Sequence, residues 1–460
     1  AKALRDHIHN RLLDSKHPDG FLAGQIAYSR KDEHHLRRVL VLDPLATFFL
    51  YDFVQKHQKS FPKKPEAARS VFGHAFSRGE PVDAFAEYHS FRRKKYELIS
   101  AHGHFAQLDV FNCFNSFYHH AVTSFVTKQT SEAAGAGFGQ FLRELNAGVS
   151  VACFPQGLYP AKVIGNAYLS LVEDSRRLRA PGIARFLDDI LLAGASRRDV
   201  EGQVLELQYV LDKHHLALND SKTLVGEKGQ RFEERKLDRI KRDLVKKREA
   251  AKQAYGRDEE EGEPPRLTKG ERDYLTTLIR KPNVAQEDVE LALALLRHEP
   301  DALPLVVDPV LDAAPHLLRG LHRFVDLAGD PTGCLWLALE SRLKKPMQLP
   351  EHDLFWFARI LIDHFEFDQD VADLLVRIYE DAKASPLVRA AILETEHLDH
   401  GFADLKEEAL RGEGTTLVAA AGMVGLRKLE KAKRNHVFKY AAKQGATAAS
   451  LVAIAGRMAG

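Results

Sequence analysis

Two adjacent aspartates, Asp188 and Asp189, sit in the middle of the apolar run ARFLDDILLAG (Ala184–Gly194). Ionised carboxylates inside such a run are expensive to bury without compensation. Side chains alternate across a strand, so in a straight strand the two acids point to opposite faces. They approach one centre together only where the backbone turns sharply. The run is therefore expected to be a strand–turn–strand with the pair at its tip. A divalent cation is one source of compensation, because carboxylate oxygens are hard ligands. A third acid, Asp109, stands just inside the end of another apolar run, FAQLDVF (Phe105–Phe111). Taken alone, an Asp-Asp dipeptide equally fits an exposed hairpin with two solvated acids.

Three zones follow one another along the chain. Up to about Val225, short apolar runs, VLVLDP (Val39–Pro44) among them, alternate with helical patterns such as SEAAGAGFGQFLRELNAG. Strands separated by helices predict an α+β unit over residues 1–225. Residues 226–270 are dense in charge, with opposite charges three or four apart, and predict an exposed helix followed by the acidic break DEEEGEPP (Asp258–Pro265). A basic face touching nucleic acid is the sharper reading of that helix. Residues 271–460 read as wholly helical. QEDVELALALLRH, LDAAPHLLRGLHRFVDLA, HDLFWFARILIDHF, DVADLLVRIYEDA and SPLVRAAILETEHL all repeat apolar residues three and four apart. Ser385-Pro386 is a helix start. Helices of similar length joined by short turns suggest stacked pairs, and SPLVRAAIL resembles the second half of a HEAT-type repeat.

Composition bounds the function classes. The 460 residues leave room for about two or three domains. Lys+Arg number 66 and Asp+Glu 64, so the net charge is +2. That excludes binding nucleic acid by overall charge alone and still allows a local basic groove. Cys113, Cys153 and Cys334 lie too far apart for a disulfide framework or a Cys-rich zinc site, so a reducing, cytoplasmic compartment is expected. No apolar run reaches membrane-spanning length, and AKALRDHIHNR is unlike a secretory signal, so no membrane partner is expected. The first residue is Ala rather than Met, which leads us to expect missing N-terminal residues or a tag ahead of it.

The surroundings of the three acids sharpen the reading. LDVFNCFNSFYHH, FPQGLYPAKVIGNAYLSLVED, RFLDDILL and HHLALNDSKTLV occur in that order. The series resembles motifs A, B, C and D of the reverse transcriptase palm, over roughly Leu108 to Val225, with a weaker upstream match in RRVLVLDP (Arg37–Pro44). The resemblance implies a metal-ligand role for Asp109, assisted by the carbonyl of Val110, and for Asp188 and Asp189. It implies that Phe114, five residues after Asp109, is an aromatic steric gate favouring deoxynucleotides. Gln156 and Gly157 match the motif B pair beside the incoming nucleotide, and Asn166 its asparagine. Lys222 matches the motif D lysine, a candidate general acid for pyrophosphate departure. Arg38, with Arg37, falls where a basic residue would contact the triphosphate, or is surface charge.

Departures from the pattern matter too. Ala161 and Lys162 replace the serine and proline common in motif B. The primer grip usual after motif D is not evident, and no standard thumb precedes the helices. Fingers and palm (1–225), a charged connector (226–270) and a helical-repeat domain (271–460) together resemble the abortive-infection and defence-associated reverse transcriptases of bacteria. The fold so implied is α+β, with a ferredoxin-like palm sheet and an all-α HEAT-like domain. The implied activity is Mg²⁺-dependent DNA synthesis from dNTPs in antiphage defence, with two ions, without an external template, and primed by a protein hydroxyl. Its single-stranded DNA product would be attached through a tyrosine, with Tyr88, Tyr96, Tyr118, Tyr159, Tyr168 and Tyr255 as candidates. A homo-oligomer is implied as well. The alternatives are a template-copying enzyme using a structured RNA, and an idle palm scaffold beneath a partner-binding helical domain.

Other features are less pointed. The adjacent pairs His34-His35, His119-His120 and His214-His215 are unsuited to a shared metal, since neighbouring side chains diverge. RRKK (Arg92–Lys95), beside Tyr88, Phe91 and Tyr96, suits a strand-binding groove or a solvated helix face.

Overall fold

The computed structural model describes residues 2–14, 16–17, 20–31, 34–151, 154–229, 239–254, 266–280, 286–297, 299, 302–328, 333–344, 349–411 and 416–443. Two units divide the chain: Ala1–Ile26 with Leu40–Phe232, and Ala27–Val39 with Glu233–Gly460. β1 (Gln25–Arg30) and β2 (Leu36–Val41) form a two-stranded sheet of their own.

The first unit opens with α1 (Lys2–His7) and continues into α2 (Pro44–Lys56). The expectation that Val39–Pro44 is one strand is corrected here. β2 stops at Val41, and Asp43 caps α2, its carboxylate accepting from the amides of Leu45 at 2.7 Å and Ala46 at 3.1 Å. An Asp followed by Pro supplies the capping oxygen and a residue preset for the first helical position. β3 (Arg69–Phe72), the short β4 (Phe76–Ser77) and β5 (Glu80–Pro81), α3 (Ala84–His102) and β6 (His104–Asp109) follow. Then come α4 (Cys113–Ser116), α5 (His119–Gln129), α6 (Glu132–Leu145) and α7 (Tyr159–Tyr168). The unit closes with β7 (Gly182–Phe186), β8 (Asp189–Gly194), α8 (Arg197–Asp212) and β9 (Leu224–Glu227).

Five of these strands form one sheet in the order β3-β7-β8-β6-β9. β3 runs parallel to β7, and the other pairings are antiparallel. Alternation along each strand sorts side chains onto two faces. Ala106, Leu108, Ile183, Ile190 and Leu192 join the larger core with α7 and α8. Phe105, Ala184, Leu191 and Ala193 pack instead with Phe91, Leu98 and Ile99 of α3. The parity that puts Phe105 and Leu191 on the α3 face also puts Asp109 and Asp189 there.

The second unit is helical: α9 (Arg239–Ala254), α10 (Lys269–Ile279), α11 (Gln286–Leu296), α12 (Leu303–Asp308), α13 (Leu318–Ala328), α14 (Cys334–Leu343), α15 (Glu351–His364), α16 (Gln369–Glu380), α17 (Pro386–Leu393), α18 (Phe402–Arg411), α19 (Thr416–Gly425) and α20 (Lys431–Ala442). α13 packs on α15, α15 on α17 and α17 on α19, so each helix meets the second one along. That is the arrangement of stacked pairs. Ser385 caps α17 as its sequence predicts, accepting from the Val388 amide at 3.4 Å.

Two expectations about this unit are corrected. LDAAPHLLRGLHRFVDLA is not one helix: a turn at Pro309–Ala313 and another at Pro315–Leu317 precede α13. Pro315 lacks the amide hydrogen a continuing helix needs, and its ring crowds the preceding turn. Nor is the helix of the charged segment simply solvated. Leu244 of α9 is fully buried, Lys241 pairs with Asp288, and Lys247 donates to Glu271 at 2.8 Å, in the capping box of α10. The acidic break and Tyr255 lie outside the described residues.

Segment 27–39 belongs to this helical unit. Arg30 Nε donates to Asp353 Oδ1 at 2.8 Å and Nη2 to Oδ2 at 3.0 Å, a two-pronged pair at the start of α15. The Tyr28 amide donates to Glu351 at 2.9 Å.

Candidate active site

The hairpin of β7 and β8 turns on two residues. Phe186 and Asp189 are opposed, leaving Leu187 and Asp188 as the loop. Leu187 sits at φ +52°, left-handed backbone that a branched residue rarely adopts, so the turn carries strain at the acids. Asp188 is thus in the turn, and Asp189 is the first residue of β8. Across the next pairing Asp109 stands directly opposite Asp189, and the Val110 amide donates to the Asp188 carbonyl at 3.1 Å. Opposed residues in an antiparallel pair project to the same face.

Like charges so placed repel. Burial raises the Asp189 carboxyl most, the charges of Asp188 and Asp109 add to it, and Lys222 and Lys95 offset it only in part, leaving Asp189 at about 6. Cys113, buried next along the chain, is raised by burial and then by the charges of Asp188 and Asp109. The three acids therefore share one electrostatic neighbourhood.

Asp109 is held from the segment just before β9. Asn219 Nδ2 donates to its Oδ1 at 3.1 Å, and Lys222 Nζ to its Oδ2 at 2.9 Å. The Asn219 amide donates to the Asp109 carbonyl at 2.8 Å, the Phe111 amide to the Ala217 carbonyl at 2.8 Å, and Val110 bridges Leu218. The bond to Asp109 is the main cause that raises the Lys222 ammonium. Lys95 of α3 approaches the same face. It donates to Gln107, two residues before Asp109, at 2.8 Å; burial lowers its pKa and the Asp189 charge opposes that.

Arg185 braces the turn from the other face of the sheet. Its side chain is fully buried. Nη1 donates to the Leu187 carbonyl at 3.0 Å and to Asn166 Oδ1 at 2.9 Å, Nη2 to the Asn166 carbonyl at 2.9 Å, and Nε to Glu173. Asn166 Nδ2 in turn donates to the carbonyls of Phe72 and His74, each at 3.2 Å. One guanidinium thus links β3, α7 and the loop carrying Asp188. Nothing in RFLDD marks it: an arginine in a strand reads as surface charge until its burial is known.

The other expected residues fall as follows. Phe114, on α4, packs its ring against Phe117 at 5.4 Å and Phe154 at 6.0 Å. A Cβ on Gly165 would come within 3.0 Å of that ring, so glycine there admits it. Gln156 and Gly157 form the turn ahead of α7, with Gly157 at φ +91°. Arg38 lies on β2 in segment 27–39, which belongs to the helical unit, so it is not in the unit that brings Asp109 and Asp189 together. Of the RRKK run, Lys95 turns towards the sheet and is half-buried rather than fully solvated. Asn219, Lys95 and Arg185 were missed as site residues by motif reasoning.

As the side chains stand, no three His, Cys, Asp or Glu among the described residues form a group that could hold a metal ion. The chemistry of the donors still fits a hard divalent cation: carboxylate oxygens only, with Asp189 raised by burial first and by the neighbouring Asp188 and Asp109 charges after it. Lys222 supplies the countercharge at Asp109.

No protein-family model matches the sequence. No curated protein matches it. Among solved structures, apo telomerase from Candida tropicalis is similar at a TM-score of 0.37 and 9% identity, covering 95% of this chain and 72% of that one. Telomerase from Candida albicans in complex with the TWJ fragment of telomeric RNA is similar at a TM-score of 0.33 and 10% identity, covering 91% of this chain and 64% of that one. At such scores the likeness carries no argument about this chain. Among the described residues no helix is long and apolar enough to cross a membrane.

Proposed function

We propose that the chain is a nucleotidyltransferase of the reverse transcriptase type that builds DNA from dNTPs. The observation that supports it most is the opposition of Asp109 to Asp189, with Asp188 in the adjoining turn. A hydroxyl oxygen attacks the α-phosphorus and gives up its proton to water, a new P–O bond forms, the bond from the α-phosphorus to the bridging oxygen breaks, and pyrophosphate leaves with that oxygen. Asp109, Asp188, Asp189 and the Val110 carbonyl would hold Mg²⁺, which when bound makes the attacking hydroxyl more acidic and neutralises charge on the leaving group. Lys222, which donates to Asp109 here, would give its proton to the departing pyrophosphate. Phe114 would limit space at the sugar, and Gln156 and Gly157 would border the nucleotide.

The finer parts of the reading rest on motif resemblance alone. These are template independence, priming from a tyrosine, a role for Arg38, a HEAT-like character for the helices, homo-oligomer formation and antiphage defence. Among the candidate tyrosines, Tyr88 packs its ring 5.2 Å from Phe186, opposite Asp189, and is 42% exposed. Purified protein with Mg²⁺ and labelled dNTPs should form polymer without added primer or template, and the Asp188→Asn, Asp189→Asn variant should form none. Equal product from both would refute the reading.

One observation favours a second reading, an idle palm. Both oxygens of Asp109 are already engaged by Asn219 and Lys222, and among the described residues no trio of possible ligands converges. On that reading Mg²⁺ would not bind to the wild-type chain in a calorimetric titration.

A further inference from the structure

A cavity of about 900 Å³ opens in the first unit among α1, α2, α5 and α6, on elements other than the strands that carry the acids. Among its charged residues the basic ones prevail, with Arg5, Lys56 and Arg143 on the wall and His9, His57 and His120 beside them. Asp52 is the one carboxylate among the lining residues, and the Arg5 guanidinium engages it, with Nε 3.0 Å from Oδ2. The charge on the wall is therefore net positive. Phe49 and Phe53 supply an apolar side.

A second observation points to a ligand. His119 is 3% exposed and its Nδ1 has no hydrogen-bond partner; Thr123 Oγ1, one turn further along α5, has none either. Both residues line the cavity. A buried polar atom left unpaired is costly; both atoms lie just beneath the cavity wall, and a bound molecule with hydroxyl or amino groups would remove that cost by drawing them to the surface. The small residues of SEAAGAGFGQF explain how the space arises: a Cβ on Gly139 would meet Thr123 Cγ2 at 2.7 Å, so α6 lies close on α5 and presents little side chain to the cavity.

We propose that this cavity is a second ligand site, for a phosphate-bearing small molecule of about nucleotide size. Its volume is in the range of small-molecule sites. The exposed ends of Lys56 and Arg143 meet the phosphates, the phenyl rings flank the less polar part, and His119 and Thr123 find partners on the ligand. The site stands whether or not the carboxylates catalyse anything.

The test is calorimetric titration of the full chain in EDTA, where metal-bridged binding at the carboxylates is suppressed. The probes are ATP, inorganic tripolyphosphate and adenosine. ATP should bind, and Lys56→Ala with Arg143→Ala should weaken it at least about tenfold, since each lost charge-assisted bond is worth such a factor. Asp109→Asn with Asp189→Asn should leave it within about twofold. ATP tighter than tripolyphosphate assigns the site to nucleotides, and equal affinities assign it to the phosphate chain alone; either supports the proposal. Absence of binding by both anions overturns it. So does adenosine binding as tightly as ATP, or binding that survives loss of Lys56 and Arg143 and vanishes with the aspartates.

Discussion

Asp109 and Asp189 face each other across the antiparallel pairing of β6 and β8, and Lys222 donates to Asp109 at 2.9 Å from the turn before β9. Two carboxylates in direct opposition are a cost to the fold that a cation would relieve. Added Mg²⁺ should therefore raise the melting temperature of the wild-type chain, and Asp189→Asn should abolish that rise. The same variant should lower dNTP incorporation by about a hundredfold or more, because several kcal/mol of charge stabilisation go with the ligand. Scanning calorimetry and a labelled-dNTP assay measure the two.

Lys222→Met separates two roles of one residue. If the ammonium competes with the cation at Asp109, Mg²⁺ should bind the variant more tightly than the wild type. If it also serves as proton donor, incorporation should still fall by about 10²–10⁴. Tighter Mg²⁺ binding with unchanged turnover would leave Lys222 no part in the chemistry.

Arg185→Met should destabilise the first unit by about 3–5 kcal/mol, since it strands the buried Glu173 carboxylate and frees the Leu187 carbonyl. Urea denaturation followed by circular dichroism checks this. A loss under about 1 kcal/mol would mean that the turn holds its shape without the guanidinium.

Phe114→Ala should raise incorporation of ribonucleotides relative to deoxynucleotides, the ratio being read in a competition assay. Because Phe114 also packs on Phe117 and Phe154, the same variant should lose stability, by about 3 kcal/mol as an upper figure for a half-buried ring.

Two histidines give the chain a pH signature. Burial holds His74 and His352 at about 4, with the charge of Lys162 and of Arg30 adding to it respectively. Below the unfolded value of about 6.5 the unfolded chain takes up protons that these folded-state histidines do not, so their contribution to stability falls as pH drops from about 6.5 towards 4, while Asp189, held at about 6, works in the opposite direction over the lower part of that range. Urea midpoints should be lower at pH 5 than at pH 7.5, and His74→Gln should flatten the first unit's share of that slope.

Local pattern carried a large part of this molecule. The alternation around Asp188 and Asp189 required a sharp turn between two strands, and the turn lies at Leu187–Asp188. Ser385-Pro386 and the three-and-four spacing of the C-terminal half required helices, because those signals act within one turn of chain. Where a nearby proline competed with apolar spacing, at Asp43-Pro44 and Ala314-Pro315, backbone geometry prevailed over periodicity.

What the chain's order of residues determined by itself is most of the elements, those at Asp43-Pro44 and Ala314-Pro315 excepted, and the presence of acids that no apolar interior could take in unaided. Which residues share a face was decided by the fold. The register that sets Asp109 against Asp189, the docking of Asn219 and Lys222 on Asp109, the burial of Arg185 and the turn of Lys95 towards the sheet all join segments distant along the chain. The assignment of Arg38 to the helical unit was settled in the same way. A charged side chain reads as solvated until packing removes its water, and only long-range packing does that.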